Sequence, residues 1–330
     1  MAQNRLLEEV NFAFTEEGVH KENSPGYHVF MMHRLEKLVR LKAIGGEVVG
    51  VEAKKIQDGA ERFLEAITLP DGMLPMVGDT RGGQKGKQTE IPEGPVVYDF
   101  SKSGYVVVKG KYKTKPYYFL MKNCHDSNYH RHDDDLSIYF WLDGEVLLGD
   151  GGLGSHNEKD GKRIQLRSYS SHSVPFLKSV AYRNRKFLPD EPSLSFGRGT
   201  IKGCSHMFGI KITREIDISA IKDGTITIID NLDPLSSEKD CDLSVNFFSQ
   251  NFFKGDLESS CRWLITCDKN LLATLEFTCS TLGGGLNCYV KQGVISSQYG
   301  KFCEAQSLVV DGEKVRRLKT KIYISDLVWS

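Results

Sequence analysis

The sequence predicts an α+β protein in which a short N-terminal helical hairpin packs on a large antiparallel β-sandwich. Three observations predict it: apolar residues recur at helical intervals through the first 70 residues, a polar glycine-rich stretch follows, and beyond it the period falls to two. The expected units are a helical region over 1–80, a linker over 81–94 and a sandwich over 95–330.

Ser24-Pro25 opens the main helix, with Ser supplying a capping oxygen and Pro tolerated in a first turn whose N–H groups lack partners anyway. Val29, Met32, Leu35 or Glu36, and Val39 then form a stripe that Gly45-Gly46 stops. A second helix fits from about residue 51 to 67, with Ile56, Ala60, Phe63, Leu64 and Ile67 on one side. A short glycine turn between them makes an antiparallel pair. Leu69-Pro70-Asp71-Gly72 ends the pattern, and RGGQKGKQTEIPEG, nearly free of apolar residues, reads as a linker or mobile loop. GYVVVKGKYKTKPYYFLMK, LSIYFWL, EVLLGD, TITIID, LSVNFF, CRWLITC, LLATLEFTCS and LNCYVKQGVI then alternate or run apolar between Gly, Asp and Asn turns. Lys109, Lys111, Lys113 and Lys115 would share one face of a strand, and a solvated edge is favoured over a polyanion stripe.

Composition narrows the function classes. With 40% hydrophobic and 26% charged residues, the chain is neither disordered nor fibrous. Lys+Arg and Asp+Glu both number 43, which gives no support to a nucleic-acid partner. No apolar run reaches a membrane span, so no membrane partner is expected, and the start MAQNRLLEEVNFAF lacks the pattern of a signal peptide. The eight cysteines form no CxxC pair and mostly fall in apolar runs, which favours buried free thiols over disulfides.

Chemistry concentrates at Tyr129-His130-Arg131-His132-Asp133-Asp134-Asp135. His130 and His132, two apart on an extended chain, point to the same face. A hairpin through Asp143-Gly144 would return Asp150 to the level of His132, and His172 follows after a further loop. Two imidazoles and a carboxylate are a common ligand set for Zn2+; histidines capping turns or pairing with the aspartates are an equal alternative on spacing alone.

HRHDDDLSIYFWLDGEVLLGDGGLG followed by RSYSSHS resembles the C-terminal β-domain of the heparinase II/III-like polysaccharide lyases. FTEEGVHKENSPGYH resembles that family's catalytic-tyrosine stretch, with Tyr27 as the tyrosine. LPDGMLPMVGD resembles the close of its helical domain, and SSQYGKF a late strand. His172-Ser173 stands where the family usually has His-Asn, and the family's upstream Asn-His segment is absent. The helical hairpin would then be the remnant of an α/α toroid, the chain a C-terminal portion of a longer enzyme or a divergent short member, and its location periplasmic or secreted.

The resemblance implies cleavage of uronic-acid polysaccharides by β-elimination, with a truncated chain inactive in the limiting case. It implies Tyr27 and His130 as the acid–base pair, and His132, Asp150 and His172 as ligands of a structural Zn2+. The helix macrodipole gives about 0.3–1 kcal/mol, up to ~2 in buried sites, whereas a phenol moved from pKa ~10 to ~7 needs roughly 4 kcal/mol. Tyr27 is therefore assigned as the acid and His130 as the base. In the family the upstream Asn helps neutralise the uronate carboxylate; Arg131 and Arg167 are candidate substitutes for it on residue type and neighbourhood alone, and Tyr169 is a candidate further substrate contact. The partner implied is an acidic polysaccharide or oligosaccharide; a homo-oligomer stays open. Two alternatives remain, a non-catalytic carbohydrate-binding or structural β-sandwich module and a cupin-like metalloenzyme.

Overall fold

The computed structural model describes residues 2–40, 47–124, 127, 129–178, 193–207, 210–233, 242–256, 259–280 and 285–326. It opens with three helices, α1 (Ala2–Ala13), α2 (Pro25–Arg40) and α3 (Glu47–Ile67). Met32 and Leu35 of α2 meet Ala53, Ile56 and Ala60 of α3 and Val10 of α1 in one buried cluster, as the helical stripes require. The helix α3 starts earlier than its pattern predicts, and the expected stop at Gly45-Gly46 lies outside the described residues. At the head of α2 the first-turn N–H of Gly26 donates to Thr80 Oγ1 at 3.1 Å, and Ser24 Oγ also turns to Thr80. The cap thus comes from a distant segment.

The strands form three open antiparallel sheets of five, eight and four strands. None closes into a barrel among the described residues, which leaves the cupin-like alternative without its scaffold. The five-stranded sheet runs in sequence order, β1 (Val96–Phe100), β2 (Tyr105–Tyr112), β3 (Lys115–Lys122), β4 (Ser137–Leu142) and β5 (Glu145–Leu148). It is the middle layer. Tyr105, Val107, Tyr118, Leu120, Tyr139 and Trp141 pack on Phe63 and Ile67 of α3. Val106, Val108, Phe119, Met121, Ile138 and Phe140 pack into the main core with Ile216, Ile228 and Phe247 of the later strands. Burial on both faces is why YYFLM and SIYFWL are apolar without alternation.

Several expectations change. Lys113 has a left-handed φ of 56° and turns the chain between β2 and β3, so the four lysines do not line one strand. Lys109 is buried, its Nζ donating to the Glu65 carbonyl at 2.6 Å. The stretch 81–94 has no helix or strand but does not hang free. Leu74 N–H donates to the Gln84 carbonyl (2.8 Å), Gly86 N–H to the Gly72 carbonyl (2.9 Å) and Lys87 N–H to Thr68 Oγ1 (2.9 Å). The described cysteines form no disulfide, but only Cys124 and Cys204 are buried, while Cys303 is exposed; Cys241 lies outside the described residues. A short helix that the period analysis passes over, α4 (Gly161–Arg167), is capped by Asp160, whose carboxylate accepts from Lys162 N–H. No described helix is long and apolar enough to cross a membrane.

Candidate active site

Helical and sheet layers meet at one cleft. Tyr27 projects from the first turn of α2, and His130 and His132 come from the loop that leads into β4. The Asn23 side chain fixes the two segments together by donating to the carbonyls of Ser127 (2.8 Å) and Tyr129 (2.9 Å). Tyr27 and His130 stack, their ring centroids 3.8 Å apart at 20°. His130 is not on an extended strand: its φ of 54° is left-handed, a conformation uncommon outside glycine.

Asp79 organises the site, and the pattern analysis gives it no role. Its carboxylate is fully buried and accepts from His130 Nδ1 at 2.8 Å and from His132 Nε2 at 2.7 Å. Arg163 of α4 donates from both terminal guanidinium nitrogens, one of them at 2.9 Å. Burial works against the Asp79 charge, but the bonds from His130, His132 and Arg163 hold its carboxyl well below the ordinary range. An ionised Asp79 accepts a hydrogen bond from His130 Nδ1–H, while Nε2 on the other side of that ring lies 3.3 Å from Glu22 Oε2. Asp79 likewise accepts from His132 Nε2–H, leaving Nδ1, which has no hydrogen-bond partner.

That Nδ1 belongs to a second cluster. His132, Asp150 and His172 are all buried and offer ligand atoms within 4.8 Å of one another. Asp150 follows β5 and forms an antiparallel bridge with His172. His172 Nδ1 lies 3.0 Å from Asp150 Oδ2, and although burial works against the charged ring, that carboxylate holds the imidazole above its ordinary range; its Nε2 makes no hydrogen bond. Buried imidazole nitrogens without hydrogen bonds, converging with a carboxylate, fit a divalent cation of borderline softness. Burial depresses His132, against the pull of Asp79, and a neutral ring is what ligation requires. Below the cluster Arg214, held by Asp230, donates to the carbonyls of Leu136 (2.8 Å) and Ser173 (2.9 Å), pinning the segments that follow His132 and His172.

Tyr27 and Asp79 line a cavity of about 640 Å3 with Phe30, Arg81, Gln84 and Leu153. Burial, then the charges of Asp79 and Glu22, push the Tyr27 phenol above its ordinary value, so it keeps its proton at neutral pH. Arg131 and Arg167 do not face this space. Arg131 is 8% exposed and pairs with Asp135 at 3.1 Å. Arg167 donates to the Arg131 carbonyl at 2.9 Å and pairs with Glu158. Tyr169 stacks on Phe176 and lines a different cavity with Asn246 and Tyr289.

No protein-family model and no curated protein matches this sequence. Solved structures do. The heparan sulfate lyase HepC of Pedobacter heparinus superposes with a TM-score of 0.80 at 16% identity, over 99% of this chain and 56% of its own. A heparinase III structure gives 0.75 at 14% identity over 99% and 57%. This is the heparinase III fold. The chain spans little more than half the length of those heparinase III and heparan sulfate lyase structures. On this heparinase III scaffold, the helix-borne phenol stacks on the imidazole from the loop before β4, with the buried His-Asp-His cluster joined to that imidazole through Asp79.

Proposed function

We propose that this chain carries the acid–base centre of a polysaccharide lyase that cleaves uronic-acid polymers by β-elimination. One observation carries the reading: Tyr27 lies against His130 at 3.8 Å across the seam between helices and sheets. His130 Nε2 takes the proton α to the uronate carboxylate, the Tyr27 hydroxyl donates to the departing glycosidic oxygen, the C–O bond breaks and a C=C bond forms in the uronate ring. A phenol held above its ordinary value suits the donor role. Because the two rings lie side by side on one wall, they reach the same face of a sugar, which suits syn removal of proton and leaving group.

His132, Asp150 and His172 would hold a Zn2+ ion. Its contribution is structural, fixing the loop that presents His130, since elimination needs no activated water.

Supplying acidic polysaccharides and recording new ultraviolet absorbance from unsaturated uronate tests the reading. Tyr27→Phe and His130→Ala should each reduce the rate by about 10²-fold or more. Full activity in either variant would remove that residue from the mechanism. Metal analysis should return one zinc per chain in the wild type.

A further inference from the structure

The α proton of a uronate is poorly acidic while the carboxylate keeps its charge, so the site needs a hydrogen-bond donor or a cation aimed at that group. The cationic side chains around the cleft differ in what already holds them. Arg163 is committed to Asp79 and Glu158 and is 2% exposed, Arg131 to Asp135, and Arg167 to Glu158. Lys122 is buried against Asp134.

Arg81 differs. It is exposed, lines the cavity with Tyr27, and pairs with no carboxylate among the described residues. Its guanidinium lies over the Tyr299 ring, 5.2 Å from the centroid, an arrangement that leaves the planar N–H fork available to a ligand. Its charge also reaches Tyr27, opposing the upward push on the phenol. The backbone behind it is fixed: a Cβ at Gly82 would sit 2.1 Å from the Ser297 carbonyl oxygen, so Arg81-Gly82 lies directly on the strand Gly285–Gln298.

We infer that Arg81 receives the uronate carboxylate, through a charged contact with its guanidinium, at the cavity shared with Tyr27. The inference rests on the lyase reading for the identity of the ligand. It replaces Arg131 and Arg167, whose guanidiniums are already taken up by Asp135 and Glu158.

The test is calorimetric titration with a tetrasaccharide alternating glucuronate and N-acetylglucosamine, and with its carboxyl-reduced counterpart. Wild type should prefer the acidic ligand by about tenfold or more, Arg81→Ala should bind both alike, and Arg81→Lys should keep part of the preference. An undiminished preference in Arg81→Ala, or no preference in wild type, would overturn the assignment. Tyr27→Phe separates the two claims: it should retain the carboxylate preference while forming unsaturated product about 10²-fold or more slowly. Wild-type product formation by Tyr27→Phe would count against the lyase mechanism and leave the Arg81 contact standing.

Discussion

His132 donates through Nε2 to Asp79 Oδ1 at 2.7 Å, and that bond decides which nitrogen is left for an ion. The other oxygen of Asp79 holds His130 at 2.8 Å. The Tyr27–His130 stack and the His-Asp-His cluster therefore hang on a single carboxylate.

Replacing Asp79 by Ala should damage both together. Loss of an outer partner typically costs 10–100-fold in metal affinity. Arg163 would lose its innermost anion, a change expected to cost about 3–5 kcal/mol of stability. Competition titration with a zinc chelator and urea unfolding measure the two effects, and an unchanged zinc affinity would dissociate Asp79 from the cluster.

Removing metal should loosen the fold around β4 and β5. An ion present at 100 times its Kd contributes about 2.7 kcal/mol, equivalent to roughly 5 °C in Tm. Chelation should lower the wild-type Tm by that order, and His172→Ala should show no further drop on chelation. A Tm indifferent to chelator in wild type contradicts a bound structural ion.

His28 makes the helical layer acid-sensitive. Its Nε2–H donates to the Ala60 carbonyl (3.0 Å) and its Nδ1 accepts from His20 N–H (3.2 Å), so both ring nitrogens are satisfied by the neutral form. Burial lowers its pKa from 6.5 to about 4. Between those values the unfolded chain binds more protons than the folded one, so stability falls as pH drops, by roughly 3 kcal/mol over the window. His20, lowered to about 3 chiefly by burial, acts in the same direction. Urea midpoints from pH 7 to pH 4 should decline, with a shallower decline in His28→Gln; parallel profiles would exclude His28 as the source.

Gly18→Ala should be costly for two reasons. Its φ of 82° is left-handed, and a Cβ would lie 2.5 Å from the Ala60 backbone nitrogen of α3. Gly144, with φ 98° and open space around it, isolates the first cost, about 1–2 kcal/mol. Thermal melts should therefore rank Gly18→Ala well below Gly144→Ala, and equal losses would show that the contact with α3 yields easily.

Much of the fold was legible because two periods, 3.6 and 2, write themselves into the apolar residues of α2, α3 and β4. The cluster of His132, Asp150 and His172 was legible through a hairpin count. Asp79, Arg81 and Arg163 were not. The first two sit in irregular chain after α3, where no period marks a residue, and the third is carried by a seven-residue helix. The roles of Asp79 and Arg163 come from bonds that span 51 to 84 positions of sequence, from Asp79 to His130, His132 and Arg163. Arg131 misled through adjacency. Its neighbours His130 and His132 both turn to Asp79, and the residue between them turns the other way, to Asp135. Tyr169 misled in the same manner, close to His172 in sequence but stacked on Phe176.

The aromatic wall that β2, β3 and β4 present to α3 has a consequence for cleavage of the backbone. A protease that nicks the exposed stretch near Glu90 would sever the chain, but the two pieces would stay clasped by Tyr105, Tyr118 and Trp141 against Phe63. Such a nicked protein should elute as one particle under native conditions and separate only in denaturant.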